Sequence, residues 1–138
     1  MEQFQFQGNL PLFITPCCKE KTTDLGLIPA ILRYTDPRIS EIYSLSLSKP
    51  ASFGILSGKY GLIFAEEPIP WYDEVLTLET WRPLTATIKK QLKQFQASEV
   101  LYFAKNHHLH QSWEPYYLAI QISCQALNLP YVFIEIPG

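Results

Sequence analysis

Short apolar runs alternating with amphipathic stretches set the pattern of this chain. Leu12-Phe13-Ile14-Thr15, closed by Pro16, reads as a first strand, Phe53–Leu56 as a second, Glu99–Phe103 as a third and Tyr131–Ile136 as the last. Between the first two, Asp36-Pro37 supplies a capping carboxylate and a first-turn proline. Ile39, Ile42, Tyr43 and Leu47 then recur at helical spacing until Lys49-Pro50 stops the helix. Between the second and third strands, Pro83 opens a helix with Leu84, Ile88, Leu92 and Phe95 on one face and Lys89, Lys90 and Lys93 turned away. Before the last strand, Ser112 is placed to cap a helix with Trp113, Tyr117, Ile120, Cys124 and Leu127 as its buried stripe, ended by Asn128 and Pro130. Residues 1–10 read as a loosely held arm, and residues 25–34 as a semi-apolar segment with a helical turn opened by Pro29.

Strand and helix in strict alternation predict an α/β fold: a three-layer α/β/α domain around a four-stranded, mostly parallel sheet. Right-handed crossovers favour strand order 2-1-3-4, with a switch point between strands one and three. Residues 63–78 break the alternation. Pro68 and Pro70 exclude a helix interior, so the segment reads as a long aromatic surface loop. No linker, repeat or low-complexity tract divides residues 1–138, which read as one domain.

Composition narrows the function classes. The chain has 138 residues, 47% hydrophobic and 17% charged, which is enough to build a core and too apolar for disorder. Its net charge of −2 lacks the basic excess of a protein that grips many phosphates, so any nucleic-acid contact is expected to be local. No apolar run approaches the roughly 20 residues of a membrane span. The start Met1-Glu2-Gln3-Phe4-Gln5-Phe6 lacks a signal-peptide pattern, and an odd set of cysteines, Cys17, Cys18 and Cys124, fits reduced thiols. A cytoplasmic protein without disulfides is the expectation.

Candidate chemistry concentrates after the second strand. Ser57-Gly58-Lys59-Tyr60-Gly61 follows a buried strand, and glycines allow close backbone approach to a ligand. Read functionally, Lys59 holds an anionic group and Tyr60 contacts a base; read structurally, the segment is a tight turn. It is not a P-loop, since Gly-x-x-x-x-Gly-Lys-Ser/Thr is absent. Tyr72-Asp73, in the proline-stiffened loop, offers a stacking ring and a general base, or else pins the loop to the core. Cys17 and Cys18 beside Lys19 and Lys21 suit an anion contact or a reactive thiol, or simply small buried side chains. His107, His108 and His110 lack a nearby carboxylate or thiol to complete a metal set, and no metal is expected.

These residues also carry a family resemblance. Pro16-Cys17-Cys18-Lys19-Glu20-Lys21, Ala30–Thr35, Ile55-Leu56-Ser57-Gly58-Lys59-Tyr60-Gly61-Leu62 and Ile69-Pro70-Trp71-Tyr72-Asp73 with Leu76 occur in order. The pattern resembles a widespread bacterial domain-of-unknown-function family related to the peroxide-stress protein YaaA. It covers residues 12–76 well and the remainder through its helix–strand layout. The resemblance implies an association with nucleic acid and a fold likened to nucleobase-handling domains of the uracil-DNA glycosylase type, with no reaction established. YaaA-like proteins proper are longer and carry DNA-contacting elements for which this chain has no room.

The sequence thus points to a nucleotide- or nucleobase-binding domain, with N-glycosidic or related base chemistry, nucleic-acid modification or stress response in view. Lys59 and Asp73 are the candidate catalytic residues, and Cys17, Cys18, Lys21, Ser57, Gly58, Tyr60, Gly61 and Tyr72 the candidate ligand contacts. A non-enzymatic accessory protein with the same pocket and a thiol-based redox sensor are the alternatives. No cofactor is indicated.

Overall fold

A computed structural model describes residues 9–23 and 26–137; most of the arm expected over residues 1–10 lies outside them. Seven strands and four helices follow in order: β1 (Leu12–Pro16), β2 (Ile28–Pro29), α1 (Ala30–Arg33), α2 (Pro37–Ser48), β3 (Ser52–Ser57), β4 (Gly61–Ile63), β5 (Pro68–Ile69), α3 (Trp81–Phe95), β6 (Val100–Ala104), α4 (Glu114–Ala126) and β7 (Tyr131–Glu135). A short 3-10 turn, Gln111–Trp113, leads into α4.

The main sheet is five-stranded, mixed and mostly parallel, with order β4-β3-β1-β6-β7. Its four parallel strands are the four read from the sequence, in the expected order. The fifth, β4, was missed. It runs antiparallel to β3, pairing Ile55 with Ile63 and Ser57 with Gly61. Its three residues follow a tight reversal and present too short a run to register as a strand, and Gly61 (φ +75°) is needed where that reversal rejoins the ladder. The expected surface loop over residues 63–78 is likewise partly ordered into the core. β5 pairs with β2 in a small antiparallel sheet, and Ile69, Tyr72 and Leu76 are buried.

Alternation along the strands divides the interior in two. Leu12, Ile14, Leu56, Leu62, Val100 and Tyr102 face α3 and α4, whereas Phe13, Phe53, Ile55, Ile63 and Phe103 face the α1 and α2 side. Burial on both faces is why β1 and β3 read as nearly unbroken apolar runs. Each fully buried Leu or Ile contributes roughly 1.5–3 kcal/mol.

The helices follow their sequence signals except that α3 begins at Trp81, before Pro83, that Leu47 of α2 is exposed while Ser46 is buried, and that α4 differs in cap and phase. Asp36 caps α2 as expected, its carboxylate accepting from the Arg38 amide at 3.1 Å. In α4, Ser112 is not the cap and the buried stripe is displaced: Tyr116, Ala119, Ile120, Ser123 and Cys124 face the core, while Trp113, Tyr117 and Leu127 are half-buried. Pro115 in the first turn fixes this phase, because the preceding residues are taken up by the 3-10 turn.

The exposed side of β4 is closed by a side chain. Gln91 of α3 accepts from the Leu62 amide at 2.8 Å and donates to the Tyr60 and Leu62 carbonyls at 3.2 and 3.1 Å, as a further strand would. Gln91→Leu is expected to leave these groups without partners, costing about 1–3 kcal/mol. Urea denaturation measures the loss; an unchanged midpoint would show that water replaces the amide freely.

Candidate functional site

A cavity of about 650 Å3 opens at the carboxyl edge of the sheet. It lies where chain direction reverses, between β1 and β6, the position at which open α/β sheets bind ligands. The turn after β1 contributes Cys17, Cys18, Lys19, Glu20 and Lys21; the start of α2 contributes Asp36 and Arg38. Residues 74–78 form one wall, and Lys105, Trp113 and Tyr116, from the end of β6 to the start of α4, form the opposite side.

Arg38 organises this edge. Its guanidinium donates to Thr15 Oγ1 at 2.8 Å and to the Pro16 and Cys17 carbonyls at 2.7 and 3.2 Å. Thr15 Oγ1 in turn donates to the Phe103 carbonyl at 2.8 Å, so one side chain ties α2 to the ends of both β1 and β6. Asp36 lies 3.2 Å from Arg38 Nε, and the guanidinium also packs 4.8 Å from the Trp113 ring. Sequence reasoning missed Arg38 because a single arginine in the first turn of an amphipathic helix looks like a solvated charge. The available signal was its place in the first turn of α2, two residues after the Asp36 cap.

The floor carries hydroxyls and thiols. Tyr116 Oη accepts from the Leu76 amide at 3.0 Å and lies 3.9 Å from Cys17 Sγ. Beside the cavity, Tyr34 and Tyr72 share a buried hydroxyl–hydroxyl bond, and Tyr60 meets the Tyr72 ring edge-on at 5.3 Å. The Lys21 ammonium sits 4.8 Å from the Tyr72 ring and donates to the Lys19 carbonyl at 3.2 Å. Burial pushes the phenols of Tyr34, Tyr72 and Tyr116 well above the ordinary tyrosine range, so all three stay protonated donors at neutral pH. Burial likewise raises the Cys18 thiol, against backbone hydrogen bonding that lowers it.

The residues singled out from sequence divide into two groups. Cys17, Cys18 and Lys21 line the cavity; Ser57, Gly58, Lys59, Tyr60, Gly61, Tyr72 and Asp73 do not. The reason is the missed strand. β3 turns straight back into β4, which keeps the Ser-Gly-Lys-Tyr-Gly turn on the outer side of β3 and away from the β1–β6 junction. Ser57 Oγ accepts from the Lys59 and Tyr60 amides at 3.0 and 3.1 Å, an ordinary role in holding a turn. Lys59 is exposed, its ammonium 5.5 Å from the Tyr60 ring, and Asp73 is exposed beyond the cavity wall. Gly58 has an indirect part: a Cβ there would stand 2.7 Å from the Leu76 amide nitrogen and 2.8 Å from the Glu74 carbonyl oxygen, within the wall itself.

The histidines lie apart from the cavity. His107 stacks on Tyr117 at 3.9 Å, and neither it nor His108 lines the cavity. Among the described residues no group of three His, Cys, Asp or Glu side chains is placed to hold a metal ion, and no helix is long and apolar enough to cross a membrane. Cys17, Cys18 and Cys124 are all free thiols. Comparison with protein-family models, curated proteins and solved structures finds no match to the chain.

Two outcomes follow from this geometry. Arg38→Ala and Arg38→Lys are both expected to lower stability, by about 1–3 kcal/mol, because a lysine reaches at most one of the three acceptors. Chemical denaturation checks this, and full rescue by lysine would reduce the role to charge alone. Alkaline pH is expected to unfold the protein. The Cys124 thiol is pushed up to about 12 by burial, and the buried phenols shift the same way, so the unfolded chain ionises first. Their stabilisation is complete below about pH 9 and is lost as pH rises toward the folded values. A melting temperature flat between about pH 9 and 11 would contradict it.

Proposed function

We propose that the cavity at the β1–β6 junction binds a nucleotide or nucleobase. The observation that carries this reading is the lining itself. Lys19, Lys21, Arg38 and Lys105 border a space whose apolar surface comes from Val75, Leu76, Trp113 and Tyr116. Cations around an apolar, aromatic concavity suit a planar ring bearing an anionic group, and the volume lies in the usual range for such ligands. The chain as a whole is acidic, so this gathering of cations is local. The resemblance of residues 12–76 to the YaaA-related family supports the same ligand class.

Binding is better supported than catalysis. Lys59 and Asp73 do not converge on a common point in the cavity, and the carboxylates that line it are Glu20, Asp36 and Glu74, of which Asp36 is engaged with Arg38. Action on N-glycosidic bonds would draw on Glu20 or Glu74 in place of Asp73. The redox reading loses support at Cys18, whose thiol burial holds in the protonated, less nucleophilic form.

Titration calorimetry with nucleobases, nucleosides and nucleoside monophosphates tests the proposal. Trp113→Ala is expected to weaken binding of any responsive compound at least tenfold, and Lys59→Ala to leave it unchanged. Equal loss in both variants, or a Lys59→Ala effect alone, would move the site to the β3–β4 turn.

A further inference from the structure

We infer that β7 is the joint of a homodimer: the open edge of the sheet pairs antiparallel with β7 of a second copy, so that two five-stranded sheets continue as one across a two-fold axis. This surface is separate from the cavity, which no β7 residue lines.

The observation that prompts it is the difference between the two edges of the sheet. At the β4 edge, Gln91 takes up the outward amide and carbonyls. At the β7 edge nothing does so among the described residues. The Val100 amide donates to the Pro130 carbonyl at 2.9 Å and the Ile136 amide to the Ala104 carbonyl at 3.0 Å, so with Leu101 opposite Val132 the even-numbered residues of β7 bond to β6. The N–H and C=O groups of Tyr131, Phe133 and Glu135 therefore point away from the sheet, and no described backbone or side-chain group meets them. β7 also lacks the devices that usually blunt an edge. It has no lysine or proline between Tyr131 and Glu135, and no bulge interrupts its five-residue pairing with β6.

A second copy fits because this edge is self-complementary in one register. With Phe133 opposite the partner's Phe133, Tyr131 stands opposite the partner's Glu135. Three residues in each copy then exchange N–H and C=O with their opposites, making about six hydrogen bonds. Sliding by two residues in one sense sets Pro137, which has no N–H, opposite Tyr131. Sliding the other way sets Leu129 opposite Glu135, and the Leu129 amide already donates to the Cys124 carbonyl at 2.9 Å.

The side chains match in the same register. On the α4 face the two Phe133 rings meet at the axis, each with Tyr117 edge-on at 5.8 Å and His107 stacked on that tyrosine. On the other face Val132, 49% exposed, lies opposite the partner's Ile134. Glu135 is the one charged residue of β7, and it faces the Tyr131 hydroxyl instead of another carboxylate. That hydroxyl accepts from Gln125 Nε2 at 3.3 Å and keeps its proton to donate. A foreign strand could make the backbone bonds, but these pairings belong to β7 with itself. Six hydrogen bonds correspond to roughly 600–1,200 Å2 of interface, the small end of specific contacts, so the dimer exchanges with monomer in the micromolar range.

The test uses the full chain, wild type and Val132→Lys, in sedimentation equilibrium and amide hydrogen exchange between about 1 μM and 1 mM. The wild type is expected to pass from monomer to dimer over that range. The Tyr131, Phe133 and Glu135 amides should gain protection with the dimer, while those of Val132 and Ile134 stay protected throughout. Val132→Lys places a charge in two apolar cross-strand pairs and should weaken the dimer roughly tenfold or more, with the melting temperature of the monomer unchanged. A monomer at every concentration overturns the proposal, whether the odd-numbered amides exchange freely or are covered by the chain's own residues. So does a dimer in which those three amides exchange freely, since it would use another face, and so does growth beyond the dimer. An undiminished dimer in a folded Val132→Lys counts the same way. Should that variant fail to fold, the concentration dependence of the three amides in the wild type decides, and its absence overturns the joint.

Discussion

A parallel sheet that reverses its winding direction must part its crossovers at one point, and here that point lies between β1 and β6. The helices diverge to opposite faces, so the ends of the two strands have no covering element of their own. The Arg38 guanidinium holds them together, satisfying Thr15, Pro16 and Cys17 and, through Thr15, the Phe103 carbonyl. The arrangement keeps the strand ends fixed without filling the space beyond them. A hydrophobic side chain could fill that space, but it would leave the same backbone carbonyls unpaired. The cavity and the stability of the sheet edge therefore depend on one polar interaction.

The two cores flanking the sheet do different work. The α1–α2 side is pinned by polar ties: Arg33 is fully buried and donates to the Thr22, Gly26 and Ile69 carbonyls, joining Thr22 and Gly26 to β5. That network lets the small β2–β5 sheet and the Tyr34–Tyr72 pair persist with little apolar area of their own. The α3–α4 side is a conventional apolar interface, with Ile88, Leu92 and Phe95 meeting Ala119, Ile120 and Cys124. Within that apolar side, Tyr102 carries a buried hydroxyl that finds no hydrogen-bond partner among the described residues.

The repeating units of the fold were legible because periodicity reports burial. β1, β3, β6 and β7 and their order, the Asp36 cap and the exposed lysine face of α3 all express one local rule each. What escaped depends on contacts that sequence spacing does not encode. β4 exists because Gln91, far along the chain, supplies its missing neighbour, and three residues alone cannot announce a strand. The phase of α4 turned on whether Ser112 or Trp113 stands at its N-cap, a difference of one residue that exchanges Tyr117 for Tyr116 in the buried stripe. The thiol–lysine turn after β1 reached the cavity because strand ends in a parallel sheet share one side. Ser57, Lys59 and Tyr60 leave from the same edge, since β3 is parallel to β1, but the hairpin folds straight back into β4 on the outer side of β3, one strand away from the β1–β6 junction.

Yet the Ser-Gly-Lys-Tyr-Gly turn is not irrelevant to the site. Gly58 lets the backbone of residues 74–76 approach to distances that no Cβ would tolerate, and the Leu76 amide so placed donates to Tyr116 Oη. Ser57 fixes the turn by accepting two of its amides, and Tyr60 braces Tyr72, whose hydroxyl meets Tyr34 and whose ring faces Lys21. Two residues of the turn thus act on a cavity wall at one remove: Gly58 through the chain at 74–76, Tyr60 through Tyr72 and Lys21. A glycine-bracketed motif is commonly read as the place where a ligand lies against backbone. Here the close approach is made by the protein's own chain, and the ligand space is what that approach leaves open on the other side.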